Sequence, residues 1–213
     1  MVSLIEPLRT SIRLAFRFLV RALSKRREYS GVAIYDFLGT GSEDPSFMAK
    51  LEEALELIAR YDQRTLHRVG ELTIGLVLFD HPRAHGSWHR DSREIRLSPM
   101  TFRDSSATDL ASTIVHEAAH AWLTALGFES RPDRRHRIEA VCYRAQAAFA
   151  RRVPDERELA ELYEGCALVA LADGPQAFSD QARRELDLSA LADLGAPKWI
   201  VRLLQPRDRR GSA

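Results

Sequence analysis

The chain has 213 residues with 31 basic and 30 acidic side chains, a formal net charge of +1. That length suits one domain with an appended element and is enough to bury a sizeable core, while a near-neutral balance argues for no particular polyanionic partner, and no nucleic acid is expected. The two cysteines, Cys142 and Cys166, make no disulfide framework and fit a reduced, cytoplasmic setting, and no uncharged apolar run of about eighteen residues is present to form an ordinary membrane span.

Residues 1–27 predict an amphipathic basic helix. Arg9, Arg13, Arg17 and Arg21 recur every four residues as one stripe, with Leu8, Ile12, Ala15, Phe16, Leu19, Val20 and Leu23 opposite. The arginines interrupt the apolar stretch, so it reads neither as a signal peptide nor as a spanning helix. The plain expectation is a helix packed on its own domain with a solvated basic face. The alternatives are a peripheral membrane helix holding anionic headgroups and a helix paired with a partner protein.

Further on, GVAIYDFL reads as a strand or an extended wrap. GTGSED is a loop that lacks the Gly-Lys-Ser/Thr of a phosphate-binding turn. Asp44 and Pro45 make an N-cap and first position for a helix whose apolar repeat runs to about residue 66. Residues 72–79 form a buried-strand pattern. Residues 85–89 and 94–97 are two short strands around a turn at 90–93.

The most specific signal is His116-Glu117-Ala118-Ala119-His120, an HExxH motif on a predicted helix. Ser106 and Asp109 fit a capping box at its start, and Gly127 fits the C′ position at its end. Leu110, Ile114, Val115, Ala118, Ala119, Trp122, Leu123 and Leu126 give it a broad apolar surface. Residues four apart lie one above the other, so both imidazoles can turn to one Zn²⁺. Glu117 lies about 100° round the helix, where it can reach an attacking water without binding the metal. Two chance histidines on a helix are the bland alternative, and a match in a chain of this composition has odds on the order of one in a hundred.

With these residues the chain resembles the zincin metallopeptidases. It is most similar to their gluzincin arrangement, in which a glutamate on a later helix is the third ligand. The resemblance implies an α+β, mostly helical fold with a small sheet beside the motif helix. It also implies Zn²⁺ as cofactor, Glu117 as catalytic base and a peptide or protein substrate. In that family the strand before the motif helix often holds an extended substrate, which implies this role for part of 84–97; His85 and His89 are candidates for polar contacts there, with plain surface histidines as the favoured alternative.

A catalytic zinc site needs three protein ligands and an open position. Glu139 is the third-ligand choice. It is an acid within the apolar stretch Ile138-Glu-Ala-Val-Cys, and a buried carboxylate needs a strong partner. The gluzincin resemblance points to the same residue. A surface glutamate paired with Arg135 or Arg144 is the bland alternative. His136, one turn earlier on the same face, is the main rival and could instead donate to a transition-state oxyanion. Asp133 and Glu129 are weaker rivals. The motif does not continue as His-x-x-Gly-x-x-His, because Leu123 and Leu126 stand at the glycine and third-histidine positions. Where better-known gluzincins carry an aspartate that orients the first histidine, this chain has Tyr143, which can accept an imidazole N–H. Cys142 reads as a packed core thiol, with soft ligation as its alternative.

A further helix is expected from 153–156 onward, with Leu159, Leu162, Tyr163, Cys166, Val169 and Ala170 as its stripe and a break at Asp173-Gly-Pro. Tyr163 is a transition-state donor by residue type alone. Shorter helical pieces over 176–186 and 188–194 and an apolar end over 197–204 follow. The expected organisation is therefore a basic helix over 1–27, one zincin-like metallopeptidase domain over 28–204 and a mobile tail over 205–213. The leading function is zinc-dependent peptide hydrolysis. The alternative is a non-catalytic zinc-binding module docked on a membrane or partner through residues 1–27. The oligomeric state is left open.

Overall fold

A computed structural model of the chain describes residues 22–37, 44–79, 85–128, 131 and 133–177. Among these are five strands and five α-helices, an α+β and mostly helical architecture as expected. Strands β1 (Ser24–Tyr29) and β2 (Val32–Phe37) form an antiparallel hairpin across Ser30 and Gly31, whose φ angles are 50° and 79°. Positive φ at both central residues makes the two-residue turn whose twist matches its flanking strands. Residues 24–27 are therefore strand, not the end of the basic helix expected over 1–27. The hydrophobic pattern could not show this, because the four central side chains of β1 are all exposed and only its pairing with β2 defines it. Residues 1–21 and the loop over 39–43 lie outside the described residues.

Helix α1 (Pro45–Tyr61) starts as predicted, with the Asp44 carboxylate accepting from the amides of Ser46 and Phe47. It stops earlier than predicted. The Asp62 carboxylate accepts from the Thr65 amide and caps a second helix, α2 (Gln63–Leu72), so one expected helix is two. Strand β3 (Gly75–Leu78) is accordingly shorter than the pattern over 72–79. Strands β4 (Gly86–His89) and β5 (Glu94–Leu97) flank their turn as expected.

The sheet order is β1-β2-β3-β5-β4. The inner pairs β2–β3 and β3–β5 are parallel, and the outer pairs are antiparallel. Alternate residues Val32, Ile34, Leu76, Leu78, Ile95 and Leu97 share one buried core with Leu51, Leu55 and Ile58 of α1. After a short 3₁₀ turn (Pro99–Phe102) comes the motif helix α3 (Ala107–Ala125), whose Leu110, Ile114 and Val115 enter the same core.

Both ends of α3 follow the sequence. Ser106 and Asp109 complete a reciprocal capping box. At the other end Phe128 N–H bonds the Leu123 carbonyl and Gly127 N–H bonds that of Thr124, the Schellman closure. Leu126, expected in the apolar surface, is exposed. Helix α4 (Arg135–Ala150) packs back along α3, and α5 (Arg157–Ala177) packs along α4. The last helix begins at Arg157 rather than around Pro154, because Asp155 sits at φ 63°, which no helical turn accommodates. It kinks at Gly174, within the expected break. Ala160, Ala167 and Ala170 are its buried positions; of the predicted stripe Ala170 is buried and Leu159, Tyr163 and Cys166 are partly so, while Leu162 and Val169 are exposed. Expectations beyond residue 177 lie outside the described residues. No helix among those described is long and apolar enough to cross a membrane.

Candidate metal centre

Helix α3 stacks His116 and His120 one turn apart, and their Nε2 atoms lie 3.2 Å from each other. Across from them, on α4, the Glu139 Oε2 atom lies 3.3 Å from each of those nitrogens. The three atoms form a nearly equilateral triangle. An ion about 2.0 Å from three ligands at tetrahedral angles sets those ligands about 3.3 Å apart, so the triangle has the dimensions of one face of a tetrahedral zinc shell. The site is mostly enclosed: His116 is buried and His120 partly so.

The donor set is electronically prepared as well. The His116 Nδ1–H donates to Gln146 Oε1 at 2.8 Å. In the neutral imidazole that bond places the proton on Nδ1 and leaves the Nε2 lone pair facing the triangle; in the imidazolium Nε2 carries a proton as well and donates to Glu139. Burial would push the Glu139 carboxyl up, but hydrogen bonds from His116 and His120 outweigh it and hold the group far below the ordinary carboxylate range. Burial likewise works against a charged His116, and contact with Glu139 overcomes it, so its pKa is raised. The other carboxylate oxygen, Oε1, faces Arg135 Nε at 3.7 Å. The bland Arg135 pairing and the imidazole contacts thus coexist on opposite oxygens.

Gln146 is the residue that sequence reasoning missed. The acceptor facing the His116 Nδ1–H is Gln146 and not Tyr143. Tyr143 instead packs edge-on against the His116 ring, with centroids 4.9 Å apart and planes at 70°. Burial, then the nearby Glu139, pushes the Tyr143 hydroxyl up to about 12. His136 is buried one turn before Glu139, and its Nδ1 has no hydrogen-bond partner among the described residues. Asp133 lies exposed and ion-paired with Arg134 at 3.7 Å, and Glu129 lies outside the described residues. Cys142, one turn beyond Glu139, is fully buried, and burial raises its thiol pKa well above the usual value. Its Sγ, with one ring nitrogen each of His116 and His120, forms a group of possible metal donors all within 4.8 Å of one another.

Glu117 is buried on the flank of α3 that meets the sheet. There β4, an outer strand, runs beside the helix. A Cβ at Gly86 would stand 2.8 Å from Thr113 Cγ2 and 3.3 Å from Glu117 Cγ, so only glycine permits this approach. Trp88 Nε1–H donates to Thr124 Oγ1 at 3.2 Å and fastens the far end of the seam. His85 packs against Phe102 with centroids 5.2 Å apart, and a His89 ring nitrogen meets Ser87 Oγ at 3.2 Å. Tyr163 is partly buried, and burial followed by the nearby Asp109 raises its pKa.

Residues 54–153 match the SprT-like family. The matched stretch runs from within α1 to just past α4 and contains the HExxH helix, strands β3 to β5 and Glu139. No curated protein and no solved structure matches the chain.

Proposed function

We propose that the protein is a zinc-dependent peptide hydrolase of gluzincin type, with His116, His120 and Glu139 as metal ligands and Glu117 as general base. The observation that carries this reading is the triangle of Nε2, Nε2 and Oε2 atoms with edges of 3.2–3.3 Å. The SprT-like match over 54–153 supports it, since SprT-like proteins are HExxH zinc-metalloprotease-like.

When bound there, Zn²⁺ would act as a Lewis acid, acidifying a water and polarising the scissile carbonyl. The chain's own residues do the rest. Gln146 and Glu139 fix the ring and carboxylate orientations, so that little reorganisation accompanies binding. Glu117 takes the proton of the attacking water and returns it to the leaving amine. Among the described residues β4 is the last strand in the sheet order, where an extended peptide would add, and Gly86 keeps it close to Glu117. Tyr143, still protonated at neutral pH, and the buried His136 stand one turn to either side of Glu139 and could donate to the oxyanion.

The test is Glu117→Gln assayed on an unstructured peptide library alongside metal content. The variant should keep about one zinc per chain and lose about 10²–10⁴-fold in turnover. Turnover at the wild-type level would remove Glu117 from the base role. Glu139→Ala should lose the metal, and retention would transfer the third-ligand position to His136.

A further inference from the structure

We propose that a groove on the far side of the motif helix from the metal donors docks an acidic linear segment of a partner protein through one large apolar side chain. This surface is separate from the metal-binding reading above and stands without it.

Helices α2, α3 and α4 leave between them a space of about 210 Å³. Val115 and Ala118 of α3 and Ala145 and Ala148 of α4 line it. Three of those four positions are alanine, so the helices approach without filling the volume, and its walls are apolar. At about 100° per residue, Ala118 lies about 160° round α3 from His116, and Ala148 lies about 180° round α4 from Glu139. The groove and the donor triangle therefore occupy opposite sides of the α3–α4 seam. Size decides the class of occupant. An apolar cavity of about 150 Å³ takes a benzene ring, whereas sites for whole small molecules start at about 300 Å³. This space fits one aromatic or branched side chain and is too small for a cofactor.

Charge decides the rest. Arg68 of α2 lines the groove with its guanidinium carbon 4.4 Å from the centre of the Trp122 ring. Stacked in this way, the planar group keeps its edge N–H donors for a carboxylate. Burial, then the like charge of Arg64, lowers the Arg68 pKa, which puts Arg64 near enough to add to the same field. On α4, Arg137 stands one turn before Val141 and Arg144 one turn before Ala148, and both are exposed. Arg152 also lines the groove and meets Asp62 at 3.4 Å. Asp62 is the one acid in the lining, so positive charge dominates the rim. Arginine clusters recognise acidic motifs through charge-assisted hydrogen bonds. An apolar anchor in their midst supplies affinity that exposed charge pairs alone do not. A nucleic acid strand offers phosphates to the arginines but no side chain for the space.

The probe is a short fluorescent peptide of Asp and Glu with one central Phe, added to the full-length chain and read by anisotropy. Saturable binding is expected at low salt, weakening as salt is raised. Replacing the Phe by Ser in the peptide should weaken it about tenfold or more, and so should the double variant Arg137→Glu/Arg144→Glu, whose side chains are exposed and whose fold is therefore kept. Ala148→Met, which fills the space and spares the arginines, should erase the preference for Phe over Ser. A chelator should change nothing. Absence of saturable binding overturns the proposal, as does full-strength binding in the double variant. A Ser peptide as tight as the Phe peptide, or an oligothymidylate that binds more tightly than either, overturns it in favour of a general polyanion surface. Binding that requires zinc places the peptide at the catalytic edge and overturns it too, whereas a chain that binds the peptide but no zinc upholds the groove and removes only the metal reading.

Discussion

Gln146 does for His116 what no residue of the motif helix can do. Its carbonyl takes the Nδ1 proton, so the other ring nitrogen presents a lone pair in a fixed direction. Gln146→Leu keeps most of the volume and removes the acceptor. It should weaken zinc binding about 10–100-fold, measured by competition with a chromophoric chelator, while the circular dichroism stays that of the wild type. Unchanged affinity would mean that packing against Tyr143 alone orients the ring. This residue was also illegible in the sequence. A neutral amide breaks no hydrophobic pattern, and its partner lies 30 positions away. Glu139 could be singled out because a carboxylate in an apolar run demands compensation. The histidines could be because their spacing is local and periodic.

At the scale of elements, what matters is the seam between β4 and α3. Gly86→Val would set a branched side chain where even one carbon meets Thr113 Cγ2 at 2.8 Å. The strand must move away from the helix, at a cost of about 1–3 kcal/mol. Thermal unfolding should show that loss, and KM for peptides should rise while zinc content holds. Thr113→Ala in the same chain should restore part of both, and no recovery would place the clash elsewhere. The N-terminus of α3 gives a smaller prediction: Ser106→Ala removes the capping bond to Asp109 and should lower stability by about 1 kcal/mol in denaturant titration. Helix α3 was readable end to end because its caps are local signals. The division of α1 from α2 was hidden because the apolar repeat passes through Asp62 without a missed beat, and only the Asp62 bond to Thr65 reveals the restart. Strand β1 was hidden for the opposite reason, having no apolar face to betray its period.

For the molecule as a whole, proton and metal binding pull in different directions. Glu139 is depressed below 4.5, so its share of stability is present above that pH and disappears as the pH falls through its lower folded value. His116 is raised above 6.5, so its share is complete below that pH and disappears as the pH climbs through its higher folded value. Metal-free protein should therefore melt highest between about pH 4.5 and 6.5 as far as this pair decides. Zinc binds only neutral imidazole, so the stabilisation it adds should grow from pH 6 to pH 8. It should reach about 2.7 kcal/mol at a hundredfold excess over Kd. Scanning calorimetry across that range, with and without zinc, checks both trends, and parallel pH profiles would remove the ion pair from the account.

The two outer strands of the sheet are unlike. Along β1, Lys25, Arg26, Arg27 and Glu28 all face solvent, and that border repels a second copy of itself. The other border, β4, is four residues long and lacks such a row of charges. Charge along the β1 border thus gives the sheet one end guarded against edge-to-edge stacking.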